Sequence, residues 1–235
     1  MEITGIEIEV VKKKIKNLYL TVLPPNGIVR ISAPITISDE AIELFAISRI
    51  AWVKKQIEKY QNQPRQTERE YVSGESHYFL GKRYRMEVKY TNGNNKVEIQ
   101  GNKIIFTVRS DSTAAQRENI LNAWYRRELR TRMQPIFQKW ATSIGVEVNE
   151  VKIKDMRTKW GTCNTKDKRI WLNLQLAKKP TECIEYVVVH ELVHLLENSH
   201  NARFVIIMDE VLPDWRTRRQ QLNDSILQAY ELGIK

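Results

Sequence analysis

Cysteine, histidine and long apolar runs are all scarce in this chain of 235 residues. The two cysteines, Cys163 and Cys183, lie far apart and form no Cys-x-x-Cys pair, which argues against a disulfide framework or a cysteine zinc ribbon. No apolar stretch approaches the ~20 residues that cross a bilayer. Met1-Glu2-Ile3-Thr4-Gly5 lacks the basic start and apolar run of a signal peptide, so a cytoplasmic protein with no membrane partner is expected. No internal repeat, low-complexity tract or phosphate-cradling Gly-rich loop is evident. Acidic residues are outnumbered, 28 against 38 Lys and Arg, for a formal charge of +10. That charge attracts nucleic acid, nucleotides or acidic proteins at long range but specifies no chemistry. Arg126, Arg127, Arg130 and Arg132 on one predicted helix, and Arg216, Arg218 and Arg219 on another, form either anion-binding faces or solvated surfaces interleaved with Glu118, Glu128 and Asp214.

The histidines are few but concentrated. Three of the four fall within the eleven residues from His190 to His200. On a helix, His190 and His194 are one turn apart on one face, where two imidazoles can converge on a tetrahedral ion. Glu191 projects beside them, in the place of a metalloprotease's general base. His200 can return to the same ion only if the helix ends and the chain turns back, and Asn198-Ser199 offers that break. The plain alternative is an apolar core helix, Tyr186 through Leu196, with histidines at its edge. Burying two imidazoles and a carboxylate with nothing bound to them would be costly, which favours the metal site.

The remaining pattern is mixed. Segments at Ile6–Val11, Leu18–Leu23 and Val29–Ala33 are β-rich, the last two joined by a turn at Pro24-Pro25-Asn26-Gly27. A long helix is expected from Ser38, a good N-cap, to Tyr60, with Ile42, Phe45, Trp52, Val53 and Ile57 in its core face. Gln61 to Glu70 suits a linker. An antiparallel meander is expected across Tyr84–Tyr90, Lys96–Gln100 and Lys103–Val108, then a helix from Ser112 to Thr142 with a kink at Pro135. Two strands, Glu150–Met156 and Arg169–Leu176, precede the histidine helix, which should run from Pro180 to about Glu197. Closing helices are expected over Asn201–Val211 and Pro213–Leu232. His77, isolated among polar residues, reads as a surface side chain.

In this order the chain resembles the YgjP-like metal-dependent hydrolases, relatives of the SprT-like and minigluzincin zinc peptidases. The match rests on His190–His200 followed by Ala202-Arg203-Phe204, on Lys159-Trp160-Gly161-Thr162-Cys163, on Ile170-Trp171-Leu172-Asn173-Leu174 and on Leu212-Pro213-Asp214-Trp215-Arg216. Weaker matches are Ile31-Ser32-Ala33-Pro34 and Tyr78 through Tyr84. Thr162, Ser199 and Val205 stand where the family usually has Ser, Asn and Trp, and none of them is a proposed ligand. The resemblance implies an α+β fold: residues 1–110 as an N-terminal β-rich region with one long helix, and 111–235 as a zincin-like catalytic domain with a small sheet and the His-Glu-x-x-His helix. It implies that His190, His194 and His200 bind Zn²⁺ and that Glu191 is the catalytic acid/base.

The chemistry agrees independently. Three neutral imidazoles leave zinc an open position for water, whose pKa falls to about 7, and Glu191 can take and return the proton during attack on a carbonyl. Tyr186, Arg157, Lys159 and Asn173 are candidate transition-state donors. Trp160, Gly161 and Thr162 read either as a wall of the substrate cleft or as a tight turn with a packed tryptophan. Zinc chemistry leaves Cys163 no need to act as nucleophile. A zinc-dependent peptidase acting on polypeptide is therefore the leading expectation. A zinc-dependent hydrolase of nucleotide phosphoanhydrides and a nucleic-acid-associated zinc protein are the alternatives, and the oligomeric state is left open.

Overall fold

A computed structural model describes residues 1–23, 27–62, 69–156 and 159–224. The predicted turn at Pro24-Pro25-Asn26, most of the predicted linker, Arg157 and the end of the last predicted helix lie outside them. The fold is α+β, as expected, with three small sheets and six helices among the described residues. None of those helices is long and apolar enough to cross a membrane.

The chain divides into two compact units, Met1–Thr67 and a second running on from Glu68. The boundary thus falls at the polar stretch and not at residue 110. Phe79, Met86, Phe106 and Val108 share one apolar core with Leu121, Trp124 and Leu129, which ties the second set of strands to the C-terminal unit. Tyr125 closes that core by donating its hydroxyl to the Tyr78 carbonyl at 2.8 Å.

In the first unit, β1 (Glu2–Ile3), β2 (Ile6–Lys13), β3 (Tyr19–Leu23) and β4 (Ile28–Pro34) form a sheet of order β1-β2-β4-β3, with β2 and β4 parallel. The predicted long helix is two, α1 (Asp39–Ser48) and α2 (Ile50–Asn62). Arg49, at φ −112° and ψ 3°, leaves helical geometry between them while its N–H still bonds the Ala46 carbonyl. Ser38 caps α1 as expected, accepting from the Ala41 N–H. Ile42, Ala46 and Val53 pack with Ile8, Val29, Ile31 and Ala33, but Trp52, read as core, is exposed.

The second unit begins with β5 (Ser76–Phe79), β6 (Lys82–Tyr90), β7 (Lys96–Gln100) and β8 (Lys103–Val108), in the order β5-β6-β8-β7. The expected meander is overturned: β8 pairs with β6 in parallel, Met86 opposite Ile104 and Val88 opposite Phe106, and β7 lies outside. Ile104, Ile105 and Phe106 are all buried, and so apolar a strand favours a place with partners on both edges. The topology repeats that of the first sheet, although the sequence shows no repeat. Both open on a two-residue hairpin whose central residues have positive φ, Thr4-Gly5 (49°, 77°) and Leu80-Gly81 (48°, 79°). Only backbone geometry is shared, which is why residue patterns did not reveal it. Gly81 also sits against Pro180: a Cβ there would lie 2.8 Å from its Cγ.

His77 is not on the surface. Alternation along β5 turns it to the same side as buried Phe79, leaving it 3% exposed. Its Nε2 lies 3.0 Å from a Glu75 carboxylate oxygen, and its ring stacks on Tyr71. Burial, then the Arg69 guanidinium, pushes its pKa down to about 4, against the pull of Glu75. The folded state therefore holds His77 neutral where the unfolded chain protonates it. Stability from this site is complete above about pH 6.5 and is lost as pH falls toward 4, by roughly 2–3 kcal/mol. Denaturant unfolding of wild type and His77→Gln between pH 4 and 7 checks this: the variant should show the shallower pH dependence, and parallel curves would refute it.

The rest of the second unit builds the site. α3 (Ala114–Ile144) starts at a Thr113–Gln116 capping box, continues through Pro135 and ends at Gly145 in the left-handed region. β9 (Glu150–Lys154), β10 (Gly161–Asn164) and β11 (Arg169–Asn173) form a sheet of order β10-β11-β9, with β10 at the edge and antiparallel to β11. A short 3-10 turn, Leu174–Lys178, leads into α4 (Thr181–Val193), followed by α5 (Ala202–Val211) and α6 (Trp215–Asp224). α4 is apolar nearly all round and is packed by α3, α5, α6 and β10, as a central helix must be.

Candidate metal centre

α4 ends four residues sooner than expected, at Val193. His194 caps it with helical φ and ψ, so His190 and His194 still share a face. The last turn tightens, Leu195 N–H bonding Leu192 and Leu196 N–H bonding Val193. Asn198-Ser199 then reverses the chain, and Asn201 caps α5 by accepting from the Phe204 N–H at 3.0 Å. His200 is thereby returned to the other two. The candidate ligand atoms of His190, His194 and His200 all lie within 4.8 Å of one another. Phe204, 2% exposed, underlies the cluster with its ring centroid 4.8–5.0 Å from all three imidazoles.

These residues fit a metal ion. His200 and His190 bring their Nε2 atoms to 3.0 Å, a contact that two lone pairs tolerate only with a proton or cation between them. Burial lowers the pKa of His190, to about 3, and of His194, and partial desolvation lowers that of the more exposed His200, which favours neutral imidazoles with lone pairs to give. His194 Nδ1 lies 3.1 Å from the Glu197 carbonyl, to which it donates, so that Nε2 carries the lone pair and could ligate an ion. His190 Nδ1 and Glu191 Oε2 are buried with no hydrogen-bond partner among the described residues. Glu191 is 4% exposed, and burial pushes its carboxyl up to about 8 against the opposing charge of Lys159. A buried carboxyl without a partner beside imidazole nitrogens crowded on one another is an arrangement that a bound dication would relieve.

A family model described as YgjP-like, metallopeptidase domain, matches residues 16–225. The chain belongs to this family. Among solved structures, it is similar to the metallopeptidase zymogen abylysin of Pyrococcus abyssi, at 18% identity and a TM-score of 0.36, over 38% of this chain and 90% of that one. It is likewise similar to the metallopeptidase zymogen jannalysin of Methanocaldococcus jannaschii, at 20% identity and a TM-score of 0.37, over 41% of this chain and 91% of that one. No curated protein matches the chain.

In this YgjP-like chain the histidines open onto a cleft of about 640 Å³, walled on one side by Lys159 through Cys163 and on the other by Tyr186 and Val187. The segment read as either a cleft wall or a turn is an edge strand: Gly161, Thr162 and Cys163 lie on β10 and Trp160 just precedes it, 7% exposed. Burial raises the Cys163 thiol to about 11, which makes it a poor nucleophile. Asn173, a candidate donor, is fully buried and spent on structure. Its Nδ2 donates to the Met156 and Lys159 carbonyls, its Oδ1 accepts from the Met156 and Gln175 N–H groups, and its own N–H bonds Trp160 at 2.8 Å. It therefore anchors the loop before β10, a role that an Asn at a strand end starting a 3-10 turn could have signalled. Tyr186, whose ring stacks on Trp215, and Lys159 do line the cleft. Two arginines of α6 are held by acids: Arg216 by Asp209, and Arg218 by Asp214 and Glu185.

Proposed function

We propose that the chain is a zinc-dependent peptidase that acts on polypeptide, with His190, His194 and His200 as the metal ligands and Glu191 as general acid/base. The observation that carries it is the convergence of three neutral imidazoles beside a buried, partnerless carboxylate in a family of metallopeptidases. Zinc held there would act as a Lewis acid on the scissile carbonyl and lower the pKa of a water to about 7. The residues supply the rest. Glu191, with Oε2 uncommitted, takes the proton of the attacking water and returns it to the leaving nitrogen. The edge strand β10 offers backbone groups along which an extended peptide can pair, Trp160, Gly161 and Thr162 forming that wall. Lys159 and Tyr186 remain as donors able to face the developing oxyanion.

The test uses purified protein, unstructured polypeptide and a nucleoside triphosphate. Polypeptide should be cleaved, a chelator should abolish cleavage and added zinc should restore it. Chelator-sensitive hydrolysis of the triphosphate alone would replace this reading with the phosphoanhydride one. Zinc binding without hydrolysis, together with salt-dependent DNA binding, would favour a nucleic-acid-associated role.

A further inference from the structure

Gly161 has no conformational need to be glycine, since its φ is not in the left-handed region, unlike Gly81 or Gly145. What excludes a side chain is Glu191. A Cβ on Gly161 would lie 2.5 Å from Glu191 Oε1 and 2.8 Å from both Cδ and Cγ, closer than non-bonded carbons approach. Three atoms of the Glu191 side chain, two of them in its carboxylate, therefore occupy the space that a side chain here would fill. The strand cannot readily give way. Gly161 is paired opposite Leu172 of β11, and the two residues before it are tied down by Asn173, through Trp160 and Lys159.

We propose that Gly161 is a positioning residue: the bare edge of β10 is the seat that holds the Glu191 carboxylate in line with the three histidines. This rests on the peptidase reading above. It differs from the role suggested by the sequence, in which Gly161 lets a substrate backbone come close. A seat for Glu191 governs turnover, because the acid/base must lie within hydrogen-bond reach of the proton it moves. An approach site for substrate governs KM.

Two measurements decide it. With zinc-loaded enzyme and polypeptide, Gly161→Ala should lower kcat by about a hundredfold while KM changes by less than about twofold, as expected when a catalytic group is displaced by about 1 Å. With metal-free protein, thermal unfolding is followed for wild type, Gly161→Ala, Glu191→Ala and the double variant. Gly161→Ala should lower Tm by roughly 3–10 °C when Glu191 is present, and by no more than about 1–2 °C when alanine has removed the obstructing carboxylate. An equal loss in both backgrounds, no loss in either, or a rise in KM at unchanged kcat would overturn the proposal. If Gly161→Ala does not fold alone, folding of the double variant supports the seat and its failure refutes it. If wild type shows no hydrolysis dependent on Glu191, the peptidase reading fails, while the melting comparison still decides whether Gly161 seats the carboxylate.

Discussion

Glu191→Gln will keep its zinc and hydrolyse polypeptide about a thousandfold more slowly, in kcat more than in KM. The two side chains have nearly the same shape, so the amide fits the same seat against Gly161 and leaves the neighbouring imidazoles undisturbed. What disappears is an oxygen that can take a proton. In the wild type that oxygen is Oε2, buried and without a partner, on a residue 4% exposed. A purely structural carboxylate would bond a nearby donor, since an orphan acceptor costs about 1–3 kcal/mol. In the peptidase reading proposed above, that oxygen is the one that meets the attacking water. Metal content by elemental analysis, beside steady-state kinetics, separates the outcomes. Loss of zinc in Glu191→Gln would mean that the carboxylate supports the metal, and unchanged kcat would remove it from the chemistry.

The histidine site was legible in the sequence because its signal is local. His190 and His194 need only a helix between them, and Asn198-Ser199 needs only to turn. Where β10 runs was not legible, because an edge strand of four residues carries almost no periodicity, and Trp160–Cys163 read equally well as a turn. Residues that act across the fold were hidden for the same reason. Nothing near Gly161 announces that Glu191, thirty positions on, lies against it; only the packing of α4 on β10 brings them together. His77 was misplaced because its neighbours are polar, although its alternation with Phe79 on β5 already pointed inward. The order of β6, β7 and β8 failed through the assumption that consecutive strands pair. The burial of β8, Ile104 through Phe106, is what placed it between the other two.

The three proposed ligands should not be equivalent, because the fold delivers them differently. His190 and His194 are held by α4, whose buried face of Val187, Val188 and Leu192 fixes their backbone. His200 is exposed and depends on a turn, on the Asn201 cap and on the Phe204 ring beneath it. At a zinc concentration about a thousand times the dissociation constant, binding stabilises the folded state by about 4 kcal/mol, which raises Tm by roughly 8–16 °C for a protein of this size. His194→Ala should abolish that rise and leave no stoichiometric zinc. His200→Ala should keep a smaller rise, reached only at higher zinc, because two imidazoles on one helix face still converge. In chelator, His200→Ala should melt within about 1–2 °C of wild type, since an exposed side chain contributes little to the empty fold. Calorimetry with and without zinc on the three proteins tests all of this. Equal zinc-dependent shifts in wild type and His194→Ala would place the metal elsewhere, and a Tm penalty in chelator as large as that in zinc would make the histidines structural. With the metal site removed, Glu191 would have no water to deprotonate, so hydrolysis should fall in step with the zinc-dependent rise in Tm.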